Sequence, residues 1–415
     1  MLKVWHETEP VGTIIADKRR LQFTYDPAWL KADAAFPLSP RLPLRPEPYD
    51  NDPVALFFSN LLPEGPVLSA ILKLKQIPAG DLYAQLEALG EDAAGAFSIT
   101  PGGVKRTRKA SYAPYSPAMI RADIERLGKR LPLLAQHGEL RLSLAGAQDK
   151  IPVKWDGGKF SLPKDGAAST HILKPAIQPV SDIPESVENE AFCLALAARA
   201  GLNAVGAETV RLPPDVLVIR RYDRTIEKNR IRRLHQLDFC QLAGVLPDQK
   251  YQRDGGPGFK DIFDLINQHT TVPGVDQLKV IDWVIFNFLI GNADAHGKNL
   301  ALLAGEGGRM RLAPFYDLLS TAVYRELDPK MAMSIGGEYR AEWVHEKHWR
   351  KFAADVKVMP SLLKKRSAEL AARVMTEAPN AAGQLGLPAS KGIIRKIILE
   401  IRRRAGWLEA HQEGL

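Results

Sequence analysis

Cysteine is scarce in this sequence of 415 residues: two occur, Cys193 and Cys240, both in apolar surroundings and neither in a C-x-x-C or Cys/His spacing. That excludes a disulfide scaffold and a cysteine-based zinc site, and it fits a reducing compartment. No apolar run approaches the roughly 18 residues a membrane-spanning helix needs. The start, M-L-K-V-W-H-E-T-E, carries charge too early for a secretory signal. The expectation is a cytoplasmic protein with no membrane contact. Aromatic residues are not interleaved with the basic clusters, which argues against a single-strand nucleic-acid groove. Those clusters are Lys18-Arg19-Arg20, Lys105-Arg106 with Arg108-Lys109, Arg230 with Arg232-Arg233, Lys364-Lys365-Arg366 and Arg402-Arg403-Arg404, in a chain of net charge +8. They suit either solvated faces or an anionic partner.

What is present is a chain that fits two or three domains by length. Its 45% hydrophobic and 25% charged residues are ordinary for a folded protein. The chemistry concentrates between Asp282 and Asp317. An apolar run, Trp283 to Ile290, delivers the chain to a short polar loop holding Asp294, His296, Lys298 and Asn299; apolar residues then resume from Leu300 to Leu303. A second apolar segment (Met310, Leu312, Pro314, Phe315) ends in Asp317. Polar groups held between buried segments mark a functional loop. Phosphoryl transfer needs a carboxylate to accept the hydroxyl proton and oxygen ligands for magnesium. D-x-x-x-x-N supplies the base and one metal ligand, and a later Asp supplies another. Asp294 and Asn299 have that spacing, and Asp317 follows at the end of the next strand. The same residue types also shape turns, so spacing alone leaves both readings open.

Along the chain, residues 1 to 25 read as β structure with a turn at Asp17-Lys18-Arg19-Arg20, where Leu21, Phe23 and Tyr25 alternate with polar residues. A proline-rich connection, Pro37 to Pro53, precedes helical periodicity through Leu68, Ile71 and Leu72, and a helix is predicted from Asp81 to Leu89, closing on Gly90. Residues 101 to 116, poor in large apolar side chains, form the best boundary between domains. A helix is predicted from Pro117 to Leu131. Leu142 to Val153 places small residues between two apolar pieces, which lets backbone N–H groups approach a phosphate. The stretch matches neither G-x-G-x-x-G nor G-x-x-x-x-G-K-[ST] and reads equally as a hairpin loop. Lys174 follows apolar strand residues as a phosphate-pairing lysine does. The predicted helix Val187 to Ala200 carries Glu188 and Glu190 in its first turn, either of which could pair with Lys174 or simply complement the helix dipole. Val216 to Arg224 reads as a buried strand running into a charged segment. Helices are predicted at Leu237 to Leu246, Phe259 to Asn267, Leu278 to Ile290, Trp343 to Val356, Pro360 to Met375 and Lys391 to Trp407, with a turn-rich loop from Tyr251 to Gly258. In the last helix, Ile394, Ile397, Ile398 and Ile401 form a stripe suited to a core or a partner.

Taken together these residues resemble the HipA family, the kinase toxins of HipA–HipB toxin–antitoxin pairs. The matching segments are S-L-A-G-A-Q-D-K (Ser143 to Lys150), T-H-I-L-K-P, V-E-N-E, R-R-Y-D-R, Y-Q-R-D-G-G-P-G, G-N-A-D-A-H-G-K-N and F-Y-D, with F-F-S-N-L-L-P-E-G and G-E-D-A-A-G-A in the first hundred residues. The resemblance implies an α+β, two-lobed protein-kinase-like fold of the lipid-kinase-like type, with an additional amino-terminal α/β subdomain and a mostly helical C-lobe. The domains would be residues 1–110, 111–224 and 225–415. It implies ATP and Mg2+ as cofactors and Asp294 as the catalytic base, with Asn299 and Asp317 as metal ligands. His296, Lys298 and Tyr316 would lie beside the nucleotide. Ala145, Gly146, Ala147, Gln148, Asp149 and Lys150 would form the phosphate loop, Lys174 would contact the phosphates, and Arg220, Arg221 and Tyr222 would form the hinge. Ser143 falls on the family's autophosphorylation serine. Arg220 departs from the glutamate of the family's E-R-F-D-R, which leaves hinge contacts to the backbone. The implied partners are a HipB-like helix-turn-helix antitoxin, operator DNA through that antitoxin, and an aminoacyl-tRNA synthetase as protein substrate. A non-catalytic co-repressor bridging antitoxin and operator is the alternative.

Overall fold

The computed structural model describes residues 1–103, 111–127, 132–136, 145–146, 148–177, 183–212, 214–227, 230–305, 309–390 and 392–411. The chain divides into two compact units. Met1–Gln178, Val210–Asp248 and Leu303–Gly308 form one; Pro179–Thr209, Gln249–Leu302 and Arg309–Leu415 form the other. The first 110 residues and the segment after them share one unit, which also takes in residues 225–248, while residues 179–209 belong with the helical part.

The first unit is built on antiparallel sheet. Leu2–His6 lies between Glu9–Asp17 and Phe97–Pro101, with Arg20–Tyr25 at the edge. Period-two alternation seats Leu21, Phe23 and Tyr25 inside. The hairpin turn is made by Lys18 and Arg19 at φ 48° and 69°, the left-handed pair that a two-residue loop demands of whatever occupies it. Asp81 caps Leu82–Leu89 by accepting from Ala84 N, and Gly90 closes it, as predicted. Further strands, Ser111–Tyr115, Phe160–Lys164, Ile151–Trp155, His171–Pro175 and Val216–Arg220, run side by side in that order. The expected helix over Leu237 to Leu246 is shorter. Gln236–Asp238 is a strand, and Asp238 caps Phe239–Ala243 through a reciprocal bond with Gln241 before Gly244 ends it. Asp238 is a better cap than an interior residue.

The second unit is helical. Pro273–Ile290 packs against Gly392–Ala410 and Pro360–Gln384, and Ser186–Arg199 packs on Pro360–Gln384. From Val280 to Ile290 every residue but Asp282 is buried. The isoleucine stripe Ile394, Ile397, Ile398 and Ile401 is buried and belongs to this core. Asp276, fully buried at the foot of the central helix, receives Arg311 and Lys279 at 2.8 and 3.2 Å. Arg366 bridges Asp282, and Arg403 and Arg404 both reach Glu400, so several of the basic clusters are tied down internally. Among the described residues no helix is long and apolar enough to cross a membrane.

In the first unit His235 lies against Phe36 and Phe97, at 5.2 and 4.9 Å between ring centroids. Burial pushes its imidazole down to about 3. A histidine whose folded pKa is depressed binds more protons when unfolded. Its contribution to stability is full above roughly 6.5 and is lost as pH falls toward the folded value. The melting temperature is expected to drop between pH 7 and pH 5, and His235→Phe to remove part of that slope. Calorimetry at several pH values checks this.

Candidate active site

The polar loop is placed by the end of Pro273–Ile290. Gly291 takes φ +70°, and a Cβ there would come within 2.7 Å of Ala322, so the helix ends at the one residue able to turn there. The Gly291 carbonyl accepts from Thr321 N, Ala322 N and Thr321 Oγ1. Thr321 Oγ1 in turn accepts from Ala293 N at 2.7 Å. Buried Asn287 donates to the Trp283 carbonyl and accepts from Asn292 Nδ2 at 2.7 Å. Asn292 Oδ1 accepts from Asp294 N at 3.0 Å, and Ala293 O accepts from Ala332 N. The turn-shaping role open to these residues is thus real for Asn292. Asp294 differs: between Gly291 and Leu300 it is the only exposed residue, and its Oδ1 accepts from the Tyr251 hydroxyl at 2.7 Å. A loop with its backbone bonded inward presents one carboxylate outward.

The rest of the constellation forms behind it. Asn299 Oδ1 accepts from His296 N at 3.0 Å, and its Nδ2 lies 3.4 Å from Asp317 Oδ2. Asp317 has φ +51°, a left-handed conformation costing a non-glycine residue about 1 kcal/mol or more and typical of functional sites. It is held there by the segment before it: Phe315 N donates to Asn203 O, and Val205 N donates to Phe315 O. His296 is buried with its ring edge-on to Tyr251 at 5.4 Å. Burial, reinforced by the positive charges of Lys250 and Lys298, holds the imidazole well below its ordinary range, hence neutral. The Tyr316 hydroxyl donates to Lys298 O at 2.6 Å, so this phenol braces the loop. The Asn299 amide turns its nitrogen toward the Asp317 carboxylate and its oxygen to His296 N, and one carboxylate with one amide is too few donors for a self-sufficient metal cage. It suits magnesium, which keeps its waters and takes further oxygens from phosphates.

In the other unit Lys174 is a buried residue of His171–Pro175, opposite Leu217 of Val216–Arg220. Glu190, one of its two predicted partners, is buried on Ser186–Arg199, while Glu188 is half-buried on the same helix. Ala145, Gly146, Gln148, Asp149 and Lys150 of the expected phosphate loop are described; Ser143 and Ala147 lie outside the described residues. Gly146 has φ +112°, and a Cβ there would stand 2.6 Å from Lys150 Nζ, so glycine and the lysine ammonium share one space. Asp149 turns away to accept from Leu133 N at 3.1 Å, and burial raises its carboxyl pKa. The expected hinge residues divide. Arg220 is exposed, and the Tyr222 hydroxyl is bonded to Gln236. The Arg221 guanidinium is buried on Asp223, Ser169 and Ala93, so a hinge contact from this residue would come from its backbone. Tyr251 and Thr321 were not singled out by sequence, because a hydroxyl's role depends on which distant loop it meets.

Comparison with known proteins bears on this arrangement. The family model described as HipA N-terminal domain matches residues 2–100, and the HipA-like C-terminal domain matches residues 142–382. The protein Y4mE of Sinorhizobium fredii is 40% identical over 393 residues, covering 91% of this chain and 92% of that one. The serine/threonine-protein kinase toxin HipA of Shewanella oneidensis is 28% identical over 375 residues, covering 86% and 83%. The solved complex of Shewanella oneidensis MR-1 HipA, HipB and operator DNA superposes with a TM-score of 0.82 at 26% identity, covering all of this chain (100%) and 97% of the matched one.

Thr321→Val keeps shape while removing the acceptor for Ala293 N and one donor to Gly291 O. It is expected to lower stability by about 1–3 kcal/mol, the cost of a buried group left without its bond, read as a shift in the urea midpoint.

Proposed function

The chain belongs to the HipA family of serine/threonine-protein kinase toxins, and from that premise we propose that it transfers the γ-phosphate of ATP to a serine of another protein and to its own Ser143. The fold is the α+β, two-lobed kinase-like fold of that family. The observation that carries the reading is Asp294: an exposed carboxylate on an inwardly bonded loop, five positions before an asparagine that meets Asp317.

In this reading Asp294 accepts the proton of the serine hydroxyl as that oxygen bonds to the γ-phosphorus. The bond from the γ-phosphorus to the β–γ bridging oxygen breaks, and ADP leaves. Tyr251 orients the carboxylate through its hydroxyl. Magnesium, when bound, neutralises phosphate charge and fixes the phosphates in line. Asn299 and Asp317 would hold it with oxygens of the nucleotide. Neutral His296 adds no charge beside the site while its ring supports Tyr251. Lys174 and the loop Ala145 to Lys150 would take the phosphates, and the backbone of Arg220 to Tyr222 the base. A phosphate on Ser143 would bring a dianion against nucleotide phosphates and expel the loop, an off-switch.

The partner reading rests on the Shewanella relative, whose solved complex holds HipB and operator DNA. A HipB-like antitoxin that brings this chain to its operator is the corresponding partner here. An aminoacyl-tRNA synthetase is the proposed substrate, with arrest of translation in the cytoplasm as the outcome.

Intact mass after incubation with magnesium and ATP tests the chemistry. Wild type is expected to gain one phosphate, mapped to Ser143. Asp294→Ala is expected to lose roughly a hundred- to ten-thousand-fold in rate, the usual contribution of a general base, and Asp317→Ala to fail through the metal site instead. Both variants keeping full activity in cells would leave the co-repressor role.

A further inference from the structure

Five charged side chains meet in the interior of the first unit, none more than 5% exposed: Asp92, Arg221, Asp223, Arg224 and Arg233. Asp223 is local to the hinge segment. It takes Arg221 Nη2 at 2.7 Å and Arg224 Nη1 at 2.8 Å, and it accepts from Gly95 N. Asp92 comes from the first hundred residues and meets all three arginines, at 3.6, 3.0 and 3.0 Å for Arg221, Arg224 and Arg233. The carbonyls of Ala93 and Gly95 accept from the same guanidinium groups, and Ser169 donates its N–H to Asp92 while its hydroxyl receives Arg221.

Three guanidinium groups against two carboxylates leave one uncompensated positive charge. Arg224 Nε and Arg233 Nε are buried with no acceptor among the described residues. Such a cluster is a poor route to stability, since apolar side chains of like volume serve as well or better. What buried charges add is fixed direction. The direction fixed here is that of Arg221 to Arg224, whose backbone is also held by Arg221 N donating to Thr170 O, by Asp223 O accepting from Leu234 N, and by the antiparallel pairing of Arg224 with Arg233. A second grip falls on the phosphate loop: Glu64 N donates to Gly146 O at 3.0 Å beside a parallel bridge from Pro63 to Gly146. The first hundred residues therefore hold both segments that the kinase reading assigns to the nucleotide.

We infer that Asp92 is a positioning residue of the nucleotide site, holding the hinge segment through its three arginines, so that the amino-terminal domain is part of the ATP-binding machinery. This rests on the kinase reading above. Replacing Asp92 by Asn leaves three guanidinium groups on one carboxylate, and the hinge segment spends less of its time in the competent geometry. A competent fraction of one tenth weakens apparent affinity about tenfold. Removing one arginine as well restores the charge balance, so Asp92→Asn with Arg233→Gln is expected to recover most of that loss.

The experiment is equilibrium titration of the full chain with a fluorescent ATP analogue and magnesium, alongside KM for ATP and kcat per active molecule. Asp92→Asn is expected to raise Kd and KM about tenfold with a smaller change in kcat, and the double variant to return toward wild type. A variant that is merely less stable would lower the active fraction and leave KM unchanged; that outcome, or wild-type affinity in folded Asp92→Asn, overturns the inference alone. If Asp92→Asn does not fold, Ser169→Ala decides, because it removes one neutral bond to Arg221: a raised KM supports the inference and an unchanged KM overturns it. Wild type that binds no nucleotide overturns the kinase reading and this inference with it.

Discussion

Burial of the helix Pro273–Ile290 is the constraint on which the candidate site depends. A helix apolar on nearly all sides can lie only in a core, and once it is there its end is fixed to within a residue by Gly291. The loop that follows inherits that precision. Asn287, the polar residue the helix carries inward near its end, turns its amide to Asn292, so the core reaches one residue further into the loop than helical bonding alone would take it. Catalytic side chains need placement of this kind, because misplacement by an ångström costs orders of magnitude in rate.

The two units use charge differently. In the helical unit, buried acids pair with partners that remain partly in solvent, as Asp276 does with Arg311 and Lys279. In the other unit five charges are withdrawn from water together. The arginines hold the Asp92 carboxyl well below the usual range against the burial that would raise it, Arg224 foremost, and Asp223 is held near 2 in the same way, Arg221 foremost. Both acids therefore stay ionised through the neutral range.

The elements legible in sequence were those with local causes. The alternation of Leu21, Phe23 and Tyr25, the cap at Asp81 and the breadth of the apolar run before Gly291 each announce themselves within a few residues. Asp294, Asn299 and Asp317 were legible as a spacing, and Asn299 and Asp317 do come together. The fate of Arg221 was not legible. Asp223 is a local partner, but Asp92 and Ser169 lie 129 and 52 positions away, and Asp223 also takes Arg224, so the R-R-Y-D-R segment alone does not say which arginine faces a ligand and which the interior. The strand Gln236–Asp238 was misread because Leu237 and the residues after it carry helical periodicity, which masks the later start marked by the capping pair Asp238 and Gln241.

The left-handed backbone at Asp317 has a bearing on how such a chain would age. Asparagine and glycine are the residues that most readily adopt that conformation, and each keeps the turn while discarding the carboxylate. Drift at position 317 is thus channelled toward changes that remove the proposed metal ligand and leave the local turn standing. A lineage freed from catalysis would become a folded, inactive look-alike by the path of least conformational resistance, keeping every surface on which a binding partner depends.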